Sequence, residues 1–478
     1  MTLPEDFVKY TRSLMGDDLW HELEEGLASE PPVSVRINPL KWSGGNTSVV
    51  NMDGGVPWCG NGFYLGRRPA FTFDPLLHAG LYYVQDASSM FVERILRQYV
   101  KTPVMMLDLC AAPGGKSTLA RTVLPEGSLL FCNEPVHVRS MILAENVQKL
   151  GHTDVIVTNN YPADYKKAGL MFDVVLADVP CSGEGMFRKD AGAREEWSVQ
   201  NVNKCRALQR DIVGDIWNCL KPGGLFIYST CTFNAGEDEE NVRFVAEELG
   251  AEVLPVDVEA SWGITGSLLK GFDVPVYRFI PGKTRGEGLF IAVLRKSRES
   301  EDDGTGRCGR KKRKGEAKRG RDVMPAEAEG WIKSIDDYDV RYYGNVCRAV
   351  PRRWSNVYDM AVNSLKVIHA GIAVGEIKGK DIVPSQSLLL SEAFCRDAFE
   401  CVELGHADAV SFLRKEPIAL PEGVRRGYVV MTYGGYPIGF EKNIGNRANN
   451  LYPAEWKIKT THPAETGWEV LKINMKKI

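Results

Sequence analysis

Val104-Met105-Met106-Leu107-Asp108-Leu109-Cys110-Ala111-Ala112-Pro113-Gly114-Gly115-Lys116-Ser117-Thr118 is the stretch from which the fold is read. Val104 to Leu109 is an apolar run of strand length. It passes directly into a turn of small residues. Such residues let the backbone approach a ligand, and the start of a following helix can hold an anionic group. The ending suggests a triphosphate loop, but G-x-x-x-x-G-K-[ST] needs glycine at 110, where the chain has Cys110. This turn does not carry the G-x-G-x-x-G dinucleotide fingerprint either.

Working outward, apolar runs alternate with helical periodicities. Ser128 to Cys132 reads as a strand, His137 to Leu150 as a helix, and Val155 to Val157 and Phe172 to Ala177 as further strands. Trp197 to Leu220 reads as a long helix, and Leu225 to Ser229 as a strand after the turn Lys221-Pro222-Gly223-Gly224. Asn234 to Leu249 reads as a capped helix with acidic residues in its first turn. Tyr277 to Ile280 and Leu289 to Leu294 flank a glycine-rich turn as a hairpin. Residues 101–297 are therefore predicted to form an α/β, doubly wound, Rossmann-like sheet with an antiparallel strand at the end.

The flanks differ. Residues 1–100 are predicted to form an α+β region. Phe7, Leu14, Leu19, Trp20, Leu23 and Leu27 recur at helical spacing, Val33, Val35 and Ile37 alternate with Ser34 and Arg36, and Gly44 to Gly66 reads as loops. Residues 298–324 form a basic linker. Arg307 to Arg321 carries nine basic residues and one acidic one, which fits either a solvated spacer or an RNA-tethering strip. Residues 325–478 form a second α+β region, with Leu388 to Leu413 mostly helical and strands at Tyr428 to Met431 and Ile438 to Phe440.

Composition bounds the function. The chain has 478 residues, 44% of them apolar, and a formal charge of −3. Length predicts several domains. A nucleic-acid footprint must then be local rather than global. No apolar run approaches the length of a membrane span, and the N-terminus has no secretory core, so the expected location is the cytoplasm. The eleven cysteines form no C-x-x-C pair, and no H-E-x-x-H occurs. Reduced thiols and no metal site are expected.

In open α/β sheets, ligands bind outside the carboxyl ends of the strands. After the second strand stands Glu134, placed to bind the two hydroxyls of a ribose. A small-residue turn plus an acid one strand later fits an adenosine ligand without a phosphate chain, such as S-adenosylmethionine. After the fourth strand comes Asp178-Val179-Pro180-Cys181-Ser182-Gly183, and after the fifth Thr230-Cys231. Two cysteines thus follow two strands on the ligand-binding edge, one of them beside an Asp. Arg188 and Lys189 follow the Cys181 loop and could meet phosphates or simply face solvent, while Trp197 is read as packing. Spacing leaves open which cysteine is a nucleophile.

With those segments in that order, residues 101–297 resemble the catalytic domain of the RNA 5-methylcytosine methyltransferases. Arg36-Ile37-Asn38 and Gln85-Asp86 also resemble family elements. The C-terminal segment from Ile438-Gly439-Phe440 through Gly445-Asn446-Arg447 to Tyr452-Pro453 resembles the PUA-like RNA-binding module of the bacterial ribosomal-RNA branch. The resemblance implies a class I methyltransferase sheet that uses S-adenosylmethionine. It implies Cys231 as the nucleophile toward cytosine C6, Cys181 as the aid to its release, and Asp178 as the hydrogen-bonding partner of the base, lying near the cofactor. It further implies that Cys110, Ala111, Ala112, Pro113, Gly114, Gly115 and Lys116 hold the cofactor, with Glu134 on its ribose. Adenine is commonly met by an Asp after the third strand; here Asn160 is the candidate. The implied partner is RNA, ribosomal RNA or the small ribosomal subunit, bound by a monomer without metal. A tRNA substrate, a DNA cytosine methyltransferase attacking through Cys181, and an idle RNA-binding assembly protein are the alternatives carried forward.

Overall fold

Met105–Asp108, here β1, is the middle of a nine-stranded sheet in this computed structural model, which describes residues 2–42, 47–298, 322–460 and 467–473. In chain order follow β2 (Leu129–Asn133), β3 (Val155–Thr158), β4 (Phe172–Asp178), β5 (Leu220–Thr230), β6 (Ala251–Leu254), β7 (Val276–Phe279), β8 (Leu289–Lys296) and β9 (Val367–Ala370). The strands lie side by side as β6-β8-β5-β4-β1-β2-β3-β9, with β7 also pairing to β8. β1 to β5 run parallel, and β8 is antiparallel to β5. Strand order reverses between β1 and β4, so a crevice opens at their carboxyl ends.

Both faces of this sheet are covered. Val174 and Leu176 of β4 pack with the helices Gly115–Val123 and His137–Leu150. Val175 and Ala177 pack on the other side with the helices Pro162–Ala168 and Val199–Trp217. Side chains alternate across a pleat, and a sheet buried on both faces is apolar throughout. Helices His137–Leu150 and Pro162–Ala168 end at Gly151 and Gly169, whose φ of +89° and +67° makes the left-handed cap.

The flanking regions are tied to this core more closely than their composition suggests. Val367–Ala370 of the C-terminal part adds to β3 as an antiparallel edge strand, which covers the open hydrogen-bonding edge. The N-terminal helix Glu5–Ala28, interrupted at Gly16, lays Phe7, Trp20, Leu23 and Leu27 against Phe187, Trp197, Phe233 and Ile280. The N-terminal sheet, ordered Met52–Gly55, Gly62–Leu65, Val33–Ile37, Tyr82–Val84, shares one core with the C-terminal sheet. Val35, Ile37 and Tyr82 pack with Phe412, Met431, Ile438 and Tyr452. The strand Leu471–Ile473 returns to pair with Thr47–Val49.

Four expectations are corrected. Leu388 to Leu413 is not mostly helical; it holds the helices Gln386–Leu390 and His406–Leu413 around the strand Glu400–Glu403. That strand is recruited by parallel pairing to Gly427–Tyr433, a contact no local pattern reveals. The helix expected from Asn234 begins at Glu239, because residues 234 to 238 turn their polar side chains into the cysteine loops. Gly44 to Gly66 is not all loop but carries the short strands Thr47–Val49, Met52–Gly55 and Gly62–Leu65. Ser34 and Arg36 were the polar side of an alternating strand, yet both are buried: Ser34 donates to Gln85 O, and Arg36 donates to Gln85 and Thr118. Residues 299–321, which hold the basic run, lie outside the described residues.

Three histidines sit at the seams between these parts, and burial pushes His78, His152 and His369 each down to about 3. They are neutral in the folded chain. Their contribution to stability is present above pH 6.5, the ordinary histidine value, and is lost as pH falls toward 3. In urea unfolding, the change in stability from pH 7.5 to 5.0 should therefore be less unfavourable in His369→Gln than in wild type, a comparison that cancels the opposite contribution of buried carboxylates such as Glu441, pushed up to about 7.

Candidate active site

The turn after β1 is held by the sheet itself. Ala111 N–H donates to Asn133 O at 2.8 Å, and Leu109 N–H donates to Leu176 O at 2.8 Å. Gly114 has φ of +113°, a conformation favouring glycine, and it precedes the helix that starts at Gly115. A Cβ on Gly115 would stand 3.3 Å from the Tyr83 ring, so the N-terminal sheet closes tightly over the turn. Asp108, at the end of β1, is 1% exposed and accepts from Ser117 Oγ at 2.6 Å. Its other oxygen, Oδ1, is buried with no partner among the described residues. Burial pushes Asp108 up to about 7, with neighbouring Asp178 adding to the rise.

A cavity of about 350 Å³ opens beside this turn, at the strand-order reversal. Asp108, Cys110, Ala111, Ala112, Pro113, Gly115 and Lys116 line one wall, with Asp178 and Cys231 at its floor. The lining also includes Tyr83, Gln85, Asp86, Lys189 and Glu287. Asp178 is held from both sides: Lys116 Nζ donates to Oδ2 at 2.8 Å, and Ser229 Oγ donates to Oδ1 at 2.6 Å. For Lys116, burial works to lower the pKa, and Asp178 overrides it and raises it.

The two cysteines meet. Cys181 Sγ lies 3.1 Å from Cys231 Sγ, and Cys231 N–H donates to Cys181 Sγ at 3.4 Å. The hydrogen bond to Cys231 is the largest influence raising Cys181, burial the next, and the nearby Glu237 adds to them. Cys181 is therefore a thiol at neutral pH. Cys231 lines the cavity, while Cys181, in contact with it, does not; Lys116 borders the same cavity. All ten cysteines among the described residues are free thiols.

Sequence reading missed what holds these loops together. Glu184 is fully buried and accepts from Phe233 N–H at 2.6 Å, Trp197 Nε1 at 3.0 Å and Asn234 Nδ2 at 3.0 Å. Burial pushes it up to about 7 against the pull of those donors. Glu237 accepts from Ser182 N–H at 3.0 Å and Gln209 Nε2 at 2.7 Å. Asp238 accepts from Thr230 and Thr232 and pairs with Arg278 at 2.7 Å, both side chains fully buried. Arg278 also pairs with Glu239 at 2.7 Å. Gly185 packs against the backbone of Cys231 and Gly288 so closely that a Cβ would stand 2.8 Å from Gly288 O. The one legible signal was the density of acids after Thr230-Cys231, which local rules assign to a helix start.

Other candidates lie apart from the cavity lining. Glu134 is 2% exposed. It accepts from Val136 N–H at 2.9 Å and lies 3.6 Å from Arg139, which itself donates to Ala112 O. Asn160 accepts from Lys366 N–H at 3.0 Å, at the seam with β9. Gly114 supports the turn from outside the lining. Arg188 is neither solvated nor free for a phosphate: its side chain is 4% exposed and pairs with Glu287 at 2.8 Å. Trp197 packs edge-on against Phe7, with ring centroids 5.6 Å apart.

A carboxylate-rich cavity with an unpartnered buried Asp108 oxygen suits a cationic ligand bearing donors, so the residues present fit S-adenosylmethionine. Among the described residues no cluster of acids, histidines and cysteines could hold a metal ion.

Comparison with known proteins gives matches along most of the chain. Residues 100–295 match the family model of the 16S rRNA methyltransferase RsmB/F. Residues 3–87 match the N-terminal domain of 16S rRNA methyltransferase RsmF, and residues 399–458 match the methyltransferase RsmF PUA domain. The ribosomal RNA small subunit methyltransferase F of Aeromonas hydrophila is 28% identical, over 95% of this chain and 97% of that protein. The protein of the same name from Pectobacterium atrosepticum is 32% identical over 62% of this chain and 63% of its own length. Among solved structures, a methyltransferase homolog protein from Pyrococcus horikoshii aligns with a TM-score of 0.52 and 25% identity, over 61% of this chain and 95% of that one. NSun6 from Pyrococcus horikoshii, solved with SFG, has the same fold at a TM-score of 0.50 and 20% identity, over 61% of this chain and 98% of that one.

Arg278→Met should cost about 3–5 kcal/mol in urea unfolding, because it strands two buried carboxylates. Adding Asp238→Asn to that variant should recover part of the loss.

Proposed function

The chain belongs to the family of 16S ribosomal-RNA cytosine methyltransferases, whose catalytic, N-terminal and PUA parts it matches in order, and on that premise we propose that it methylates C5 of a cytidine in small-subunit ribosomal RNA through a covalent bond from Cys231. One observation carries the reading. Cys231, Asp178 and the turn from Cys110 to Lys116 line one cavity, with Cys181 in contact behind Cys231.

C5 of cytosine is a poor nucleophile. Addition of a thiolate at C6 makes C5 enamine-like. When bound against the turn after β1, S-adenosylmethionine supplies the electrophilic methyl group. Cys231, beside the Lys116 ammonium, is the thiolate that forms the bond to C6. Asp178, fixed by Lys116 and Ser229, holds the base at its N3 and N4 edge. After methylation the C5 proton passes to solvent water, its electron pair re-forms the C5–C6 double bond, and the C6–S bond breaks with its electrons returning to Cys231. The Cys181 thiol, 3.1 Å away, donates a hydrogen bond to the departing sulfur. Asp108, Glu134 and Asn160 are assigned to the cofactor: Asp108 by its unpartnered oxygen, Glu134 by its tie through Arg139 to Ala112, Asn160 by its place after β3.

A base at this depth must leave its stack to react. We read residues 1–100 and 325–478 as the parts that grip the surrounding RNA around a catalytic domain at 101–297, with 298–324 as the linker. The reading implies a monomer acting in the cytoplasm. No helix among the described residues is long and apolar enough to cross a membrane.

The test uses methyl-labelled S-adenosylmethionine with unmodified ribosomal RNA, small subunits, tRNA and duplex DNA. Label should appear as 5-methylcytidine in ribosomal RNA or subunits and vanish in Cys231→Ala. Cys181→Ala should instead accumulate an RNA–protein adduct that survives denaturing electrophoresis. Label in DNA, or activity surviving Cys231→Ala, would overturn the assignment; label in tRNA alone would move the substrate.

A further inference from the structure

Beside the cavity runs a second, larger concavity of about 900 Å³. Its walls are the start of the N-terminal sheet at Pro31 to Val33, the end of Gly62–Leu65 with the following Arg67 and Arg68, and the loop between β7 and β8 from Gly282 to Gly286. Two chain segments lead from it into the cavity. Arg188 lines the groove and Lys189 the cavity; Gly286 lines the groove, and Glu287 and Gly288 the cavity. A strand whose flipped nucleotide occupies the cavity therefore has a continuous path into the groove.

The charges decide what that path suits. Arg188 is neutralised by Glu287, and Arg285 by Asp53. Arg67, Arg68 and Lys283 are exposed and make no ion pair among the described residues. Against these three stands one unpaired carboxylate, Glu30. A surplus of cations in one groove of a chain whose formal charge is −3 is a local polyanion footprint. Arg68 lies over the Phe71 ring at 5.5 Å, and Lys283 donates to Thr265 Oγ1 at 3.0 Å, so two of the three are already positioned.

We infer that this groove holds the RNA strand flanking the target cytidine, with Arg67, Arg68 and Lys283 binding successive phosphodiesters. The inference rests on the methyltransferase reading above and adds the path of the substrate to it. Backbone contacts of this kind set affinity and position and carry no base selectivity.

The test is the variant Arg67→Gln/Arg68→Gln/Lys283→Gln, compared with wild type and with Lys101→Gln/Lys166→Gln/Lys270→Gln, which removes the same charge from exposed positions elsewhere. Affinity for a fluorescent single-stranded fragment of small-subunit ribosomal RNA is measured across salt concentrations, together with methyl transfer across RNA concentrations up to saturation. The groove variant should lower the slope of log affinity against log salt by about 2, from three lost contacts at about 0.7 each. Its KM for RNA should rise on the order of tenfold, with kcat and the thermal midpoint unchanged. An unchanged slope, or an equal loss in the comparison variant, would overturn the groove. Absence of methyl transfer by wild type would instead count against the methyltransferase reading, and the salt slope would still report on the groove.

Discussion

Two loops, after β4 and after β5, must present sulfur atoms 3.1 Å apart at the edge of a sheet. Neither loop has the apolar content to hold itself. The constraint is met by three buried carboxylates, Glu184, Glu237 and Asp238: Glu184 and Glu237 tie the two loops to each other through Phe233, Asn234 and Ser182, and Asp238 ties the second loop to its own Thr230 and Thr232 and to Arg278. Buried carboxylates are costly unless every lone pair finds a partner, and a half-satisfied network is worse than an apolar one. The arrangement is thus all-or-none. When Arg278 pairs Asp238 and Glu239, and Ser182, Gln209 and Phe233 reach their acceptors, the site has one geometry.

The rest of the molecule supports that clamp from outside. Phe187 and Phe233, just beyond the two loops, are covered by Phe7 and its helix. The Tyr83 and Gln85 side of the N-terminal sheet closes over Gly115, and that sheet is held from behind by Phe412, Met431 and Tyr452 of the C-terminal part. The C-terminal part also supplies β9. The terminal regions therefore do more than bring surface for RNA: they complete the walls of the cavity and close the sheet's open edge.

Charge is divided by depth. Inside the cavity, carboxylates dominate and Lys116 alone balances Asp178 at the floor, which suits a cationic cofactor and a thiolate at its edge. Outside, along the adjoining groove, unpaired cations dominate. Burial separates the two, because the same Coulombic interaction is several times stronger in the low-dielectric interior than at the solvated rim.

The order of strands and helices, the small-residue turn from Cys110 to Lys116 and the placement of Asp178, Cys181 and Cys231 after their strands were all legible in the sequence. Each depends on period and on neighbours a few residues away, and the sheet's edge converts position after a strand into position at a site. Glu184 drew no reading, Glu237 and Asp238 read as the acidic start of a helix, Arg188 as a cation facing phosphate or solvent, and Leu388 to Leu413 as mostly helix. Their roles come from partners dozens of residues distant: Phe233 for Glu184, Glu287 for Arg188, and the strand Gly427–Tyr433 for Glu400–Glu403. By itself the sequence determined which strand ends would carry chemistry. Which cysteine faces the cavity, and what holds it there, was decided only by the tertiary structure, because burial and hydrogen-bond satisfaction are properties of the packed chain and not of any segment of it.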